Sequence, residues 1–258
     1  MAKRLFDIVA ATAALIVLGP AIVVAAVGVK LCSRGPAFYC ARRAGVGGRP
    51  FTLYKLRTMH VEQGAHASAV TGAADPRIFA FGSLLRKAKL DELPQLWNIL
   101  KGDMSVVGPR PEDMVNVERY YDDLGWQTLT VRPGLAGVSS IYNYTHGENM
   151  LVGDNPEQIY AEDLLPVKLA LEAVYLRQPT LGYDVRLIFR TLQTIVQIAS
   201  GRQEFADPPE MAAARQLLQE RTDARRLTVP GPDVIPFRAA VTDAPEPEPL
   251  ADSQRRAA

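Results

Sequence analysis

Asp91 and Glu92 stand side by side in LDELPQLWNILKGDMSVVGPRP, residues 90–111, followed by a proline and then a tight Gly-Pro-Arg-Pro corner. A carboxylate can attack phosphorus, accept a proton or ligate a hard cation, and two adjacent ones can divide those tasks. Successive residues of a regular helix point about 100° apart, so the two acids converge on one ligand more readily at a bend. Pro94 supplies one, because it lacks a backbone N–H and disfavours a helical Leu93. Leu93, Leu96, Trp97 and Leu100 recur at helical spacing and give the following stretch one apolar face. Taken alone, the pair is best read as surface charge at a helix end. Lys87 lies four residues before Asp91 and Lys89 three before Glu92, a spacing for ion pairs of roughly 0.2–0.5 kcal/mol.

The surroundings add weight to a phosphate reading. Arg86, Lys87, Lys89, Lys101 and Arg110 flank the acids, and in KLRTM strand alternation sends Lys55 and Arg57 to one side as a two-pronged cationic feature. The formal net charge of +1 conceals an asymmetry of +9 over residues 1–111 and −8 over the rest. Such a basic half suits a phospholipid surface, a nucleotide diphosphate or nucleic acid. No helix-turn-helix, zinc-finger or RNA-binding signature accompanies the charge, so no nucleic-acid partner is expected. Cys32, Cys40 and three scattered histidines lack zinc-site spacing and read as free side chains.

Several elements must position these groups. Residues 8–29 carry no charge over 22 positions, enough as a helix to cross about 30 Å of hydrocarbon. Basic residues flank both ends, Lys3 and Arg4 before and Lys30, Arg34, Arg42 and Arg43 after, which the positive-inside rule would keep on one side. Gly19-Pro20 at the middle supplies a break, so two readings stand: a re-entrant helix-break-helix, which reconciles the symmetric charges with the apolar length, and a simple spanning helix kinked at Pro20. Residues 37–43 and 51–56 read as a small β-hairpin joined through Gly45, Gly47 and Gly48. Residues 64–74 read as a loop, and Ser83 as the cap of a helix leading to Asp91. Residues 181–198 form an amphipathic helix with Arg186, Arg190 and Gln193 on its polar side, either at a membrane interface or packed on the core. Beyond residue 200 eight prolines and mixed charges suggest disorder, with one short helix over 209–221. The fold class is α+β and mostly helical, with a helical catalytic core and amphipathic interfacial helices. Three parts are expected: a membrane hairpin over 1–30, a cytoplasmic domain over 31–200 and a tail over 201–258.

The ordered segments KRLFDIV, RAGVGGRPFTLYKLRTM, DPRI, LLRKAKLDELPQLWNILKGDMSVVGPRPE and RPGLAG resemble the bacterial sugar transferases, monotopic phosphoglycosyl transferases that begin glycan assembly on polyprenyl phosphate. The resemblance runs from about Lys3 to about Ile198. It implies transfer of a sugar phosphate from a UDP-sugar to polyprenyl (undecaprenyl) phosphate, with release of UMP, in exopolysaccharide, capsule or O-antigen assembly. It implies Mg²⁺ as cofactor and a site at the cytoplasmic face of the bacterial inner membrane. By the same resemblance Asp91 is the nucleophile, and Glu92 handles the acceptor proton or helps Asp91 hold the metal. Lys55, Arg57, Arg86 and Arg110 are candidates to bind phosphate. Membrane phospholipid, a second copy of the chain and downstream glycosyltransferases are the partners such an enzyme would have. With no large N-terminal membrane bundle, the chain is expected to be the family's minimal form. Two segments depart from the usual pattern: Phe79-Ala80 after DPRI, and VSSIYNYTHGENM after Gly137. Both are expected to leave the acidic pair untouched and to bear on the sugar. An ordinary sugar-nucleotide glycosyltransferase would typically carry an Asp-x-Asp motif, which this chain lacks. An inactive membrane scaffold is the remaining alternative, against which the intact acidic pair argues.

Overall fold

The computed structural model describes residues 1–60, 75–151 and 155–228. The expected loop over 64–74 and most of the expected disordered tail, residues 229–258, lie outside the described residues. Two compact units are present, Met1–Gln219 and Glu220–Ala258. The second contributes the last described turns of a helix that ends at Thr228.

Helix α1 (Ala2–Cys32) runs as one helical element with Pro20 inside it. Its two ends grip the same folded unit. At the start, Lys3 donates to Asp184 at 2.6 Å, and Arg4 donates to the carbonyls of Ile99 and Leu100 at 2.6 and 2.9 Å. The buried Asp7 carboxylate accepts from the Ser105 hydroxyl and the Val106 amide at 2.9 and 3.0 Å. At the far end Ala25 and Val29 pack with Leu56, Phe79 and Leu85. The opposite face stays open, with Ile16, Val17, Val23 and Val24 between 63% and 74% exposed. Residues 1–30 are therefore seated on the core along one stripe and present an unpartnered apolar stripe along the other.

Strands β1 (Phe38–Ala44) and β2 (Pro50–Leu56) form the antiparallel hairpin, in a register that pairs Tyr39 with Lys55. Gly47 and Gly48 turn it at φ of 64° and 74°, where a side chain would be strained. Helix α2 (Ala80–Lys87) starts earlier than Ser83, which lies within it. The N-cap position is Phe79, whose side chain is buried against Leu56 and Leu85 and makes no capping bond, so burial rather than a hydroxyl sets the start. A 3₁₀ turn, Leu90–Glu92, leads into α3 (Gln95–Lys101). Trp97 points outward at 56% exposed, whereas the polar Asn98 is fully buried. Asn98 donates to the Thr52 carbonyl at 2.7 Å and accepts from the Tyr54 amide at 3.1 Å, stitching α3 to β2.

A short parallel ladder joins β3 (Ser105–Val107) to β4 (Gly134–Ala136). A Cβ on Gly134 would lie 2.0 Å from the Gly108 amide nitrogen, so only glycine allows this approach. Helices α4 (Met114–Tyr120) and α5 (Asp123–Thr128) lie between the two strands, each with an aspartate accepting at its N-cap. Helix α6 (Val138–Tyr142) widens into a π turn, Asn143–Gly147, before α7 (Glu148–Met150). Helix α8 (Pro156–Ile159) passes through a second π turn, Tyr160–Leu164, into α9 (Leu165–Arg177). Leu165, Leu169, Ala170, Leu171 and Ala173 place α9 at the centre of the largest core cluster.

Helix α10 (Leu181–Ala199) buries Leu187 in the core, but its other buried positions are polar. Its buried positions include Asp184, Thr191 and Thr194, while Val185, Phe189, Leu192 and Val196 face outward at 39–67% exposed. The expected polar face is broken, since Arg190 is drawn to Glu210 at 2.6 Å. The folded unit also extends past the boundary expected at residue 200. Met211, Ala214 and Leu217 of α11 (Met211–Thr228) are buried in the α9 core cluster, because an apolar face at helical spacing was available to cover it.

Candidate active site

Helix α2 ends at Lys87, and Lys89 takes a left-handed conformation, φ 53°, that turns the chain into the Leu90–Glu92 turn. For a residue with a side chain this is a sparsely populated geometry, of the kind that persists where surrounding contacts fix it. Those contacts are present, since the Lys89 ammonium lies 2.6 Å from Glu148 and 3.9 Å from the centre of the Tyr144 ring. The intrahelical ion pairs expected from Lys87 and Lys89 therefore do not form, because the helix ends before the acids.

The turn delivers both carboxylates to a cavity of about 600 Å³ lined by Lys55, Arg57, Arg86, Lys89, Asp91, Glu92 and Arg110, among others. The two acids have opposite surroundings. Glu92 Oε1 accepts from Lys55 at 3.0 Å and from Arg110 at 2.8 Å, and Oε2 accepts from the Tyr144 hydroxyl at 2.8 Å. Burial works against its ionisation, but the Arg110 and Lys55 charges outweigh it and hold the carboxyl well below the ordinary range. Asp91 is buried, and its Oδ1 has no hydrogen-bond partner. Burial raises its pKa, against the pull of Lys55 and with the push of Glu92. One acid is thus locked as an anion and the other left free in the same cavity, an arrangement that separates roles in two-carboxylate sites.

Lys55 and Arg110 keep 23% and 20% of their side chains exposed, so both face the cavity while holding Glu92. Arg86 lines the cavity, and its charge acts on both Asp91 and Asp75. Arg57 behaves differently. It donates to Pro36 O at 2.6 Å, Ser33 Oγ at 2.8 Å, Ser33 O at 2.9 Å and Met59 O at 3.2 Å. Its guanidinium ties the end of α1 to the strand exit, and little of its donor capacity is left for a ligand. The structure therefore brings Lys55, Arg86 and Arg110 to the acidic pair and spends Arg57 on the loop beside it.

Tyr144 was not legible as a site residue. It belongs to VSSIYNYTHGENM, the segment expected to leave the acidic pair untouched, and the π turn brings its hydroxyl onto Glu92. That expectation is corrected: this departure reaches the acids directly. π turns often mark functional positions, but no sequence pattern announces them. Glu112, Lys168 and Glu172 were also missed. Glu112 accepts from Lys168 at 3.1 Å and from Tyr160, and burial is outweighed by the Lys168 charge so that its carboxyl is pulled down to about 2. Glu172 is pushed up to about 7 by burial, although hydrogen bonding from Ser139 opposes the shift.

Among the described residues no three His, Cys, Asp or Glu side chains converge as a metal cage. A magnesium ion usually takes one or two protein carboxylates and completes its shell with substrate phosphates and water. The unpartnered Asp91 oxygen and the remaining lone pair of Glu92 Oε2 fit that modest demand.

The bacterial sugar transferase family matches residues 1–198. The UDP-glucose:undecaprenyl-phosphate glucose-1-phosphate transferase of Caulobacter vibrioides is 33% identical over 196 residues, which cover 75% of this chain and 69% of that protein. The UDP-N-acetylgalactosamine-undecaprenyl-phosphate N-acetylgalactosaminephosphotransferase of Aeromonas hydrophila is 34% identical over 75% of this chain and 43% of its own length. The exopolysaccharide production protein ExoY of Rhizobium meliloti is 34% identical over 76% of this chain and 85% of its own. The chain thus spans less than half of the Aeromonas protein and most of the other two. With a family match over most of its length, the chain belongs to the bacterial sugar transferases.

Proposed function

We propose that this protein transfers a sugar phosphate from a UDP-sugar to polyprenyl phosphate, by way of a covalent intermediate on Asp91. The observation that carries the reading is the contrast within the acidic pair, an unpartnered Asp91 beside a Glu92 held by two cations and a tyrosine. An Asp91 oxygen attacks the sugar-linked phosphorus and the bond to the UMP oxygen breaks, so the leaving electron pair departs with UMP. A polyprenyl phosphate oxygen then attacks the same phosphorus, releasing the carboxylate and giving polyprenyl diphosphate-sugar. Arg110, Lys55 and Arg86 stabilise charge on the transferring oxygens. Glu92, with three hydrogen bonds and a depressed pKa, anchors Lys55 and Arg110 rather than shuttling a proton. Mg²⁺ held by Asp91 and Glu92 would neutralise charge on the diphosphate.

The work takes place at the cytoplasmic face of the bacterial inner membrane. The open stripe of α1 enters the bilayer, and Pro20, which cannot bond to the Ile16 carbonyl, lets the helix bend there so that both ends stay on the domain. The outward apolar stripe of α10 lies in the interface beside it. The relatives' names include both glucose and N-acetylgalactosamine donors, so the sugar is not read from the family. Incubating the protein with a panel of UDP-sugars without acceptor should place a sugar phosphate on the Asp91 peptide, detectable by mass spectrometry and absent in Asp91→Asn. UMP release without that adduct would refute the covalent route.

A further inference from the structure

Arg110 reaches the acidic pair from a corner that is stiff but short. Pro109 and Pro111 fix their own φ angles, and Pro111 also restricts Arg110 to extended conformations. Neither proline has an N–H, so the Arg110 amide is the single backbone donor of the three residues. That amide donates to Glu172 at 2.9 Å, and Ser139 donates to the same Glu172 oxygen at 2.5 Å. Two residues further on, Glu112 receives Lys168 at 3.1 Å. Lys168 and Glu172 are one helical turn apart on α9, each about 4% exposed, on a helix otherwise buried through Leu, Ala and Tyr side chains. Burying charges in a core helix is a weak route to stability, since apolar replacements of similar size often do as well. Glu172 instead bonds the first residue of one short segment, 110–112, whose first member holds Glu92, and Lys168 bonds the last while also donating to the Tyr160 hydroxyl at 2.7 Å.

We propose that Lys168 and Glu172 form a clamp that positions Arg110 over the acidic pair, making them positioning residues for the transfer step. The proposal rests on the transferase reading for the consequence of misplacing Arg110, but the clamp itself is a structural statement. Amide hydrogen exchange on the full-length protein tests it without turnover. The peptide containing Arg110 should exchange slowly in the wild type, at least tenfold faster in Glu172→Ala, and near the wild-type rate in Glu172→Gln, which keeps an acceptor oxygen. In the transfer assay Glu172→Ala should lower kcat about 100-fold with KM for the UDP-sugar within threefold, as a misplacement of about 1 Å at a charge-stabilising group would. Glu172→Gln should recover most of that loss, and Lys168→Met should resemble Glu172→Ala. Unchanged exchange at Arg110 in Glu172→Ala, or equal loss of kcat in the Gln and Ala variants, overturns the clamp. Faster exchange in a protein whose wild type releases no UMP leaves the clamp standing and removes the transferase reading.

Discussion

Neutralising each acid in turn should move stability in different directions even though both variants lose turnover. Glu92→Gln removes the charge that holds Lys55 at 3.0 Å and Arg110 at 2.8 Å. Taking one partner from a buried ion pair costs about 3–5 kcal/mol, and hydrogen bonds to charged groups are worth about 1.5–3 kcal/mol each. Both cations retain about a fifth of their exposure, and a glutamine oxygen can still accept one bond, so the lower end applies, about 3 kcal/mol. For a folded unit of this size that is a fall in Tm of roughly 6–12 °C. Asp91→Asn removes a carboxylate with no partner at Oδ1, whose ionisation burial disfavours. Its Tm at pH 8 should therefore match or exceed the wild type. Thermal unfolding of the three proteins in one detergent, followed by tryptophan fluorescence, measures the difference. A fall in Asp91→Asn as large as in Glu92→Gln would mean that Asp91 is an ion-paired structural acid and would refute its assignment as the free nucleophile.

Stability should also depend on pH through two buried glutamates. The Glu112 carboxyl is held near 2 against an ordinary 4.5, so its contribution is present above 4.5 and lost as pH falls toward 2; Glu112→Gln should flatten that acid limb in a Tm-versus-pH series. Glu172, raised to about 7 among Ser139, Lys168, Glu112 and the Arg110 amide, contributes stability below 4.5 that is lost as pH rises through 7, and Glu172→Gln should lessen the decline between pH 5 and 8. The bent-helix topology predicts that Cys32, exposed at the end of α1, resists a membrane-impermeant maleimide added to intact spheroplasts and reacts once the membrane is opened; labelling from outside would instead mean that α1 crosses the bilayer.

Local pattern made part of this fold legible. Glycines at the loop and strand-like residues on either side placed the hairpin within a residue or two of Phe38–Ala44 and Pro50–Leu56, because turn chemistry acts over a few positions. The apolar repeat over 181–198 located α10, yet periodicity cannot say which face turns inward, and the buried face mixes Leu187 with Asp184, Thr191 and Thr194. The β3–β4 ladder escaped notice since three-residue strands carry no alternation to read, and their pairing rests on two glycines far apart in sequence. Ser83 looked like a cap by residue type, but the burial of Phe79 decided where α2 begins.

The acidic pair shows where sequence reading stops for a physical reason. Asp91 and Glu92 are adjacent, equal in charge and flanked by the same lysines, so nothing local distinguishes them. What separates them comes from Lys55, Arg110 and Tyr144, which lie 37, 18 and 52 residues from Glu92 along the chain. A side chain one residue along a 3₁₀ turn points about 120° away, so the partners that hydrogen-bond Glu92 make no such bond to Asp91, which feels Lys55 only through its charge. Division of labour in the site therefore follows from which acid the distant groups can hydrogen-bond. The segment that departs from the family pattern takes part in that choice, because Tyr144 closes the second oxygen of Glu92 while Lys89 and Arg110 pack on its ring. Changes in that segment should then alter the electrostatics of the acids as well as the shape of the cavity wall.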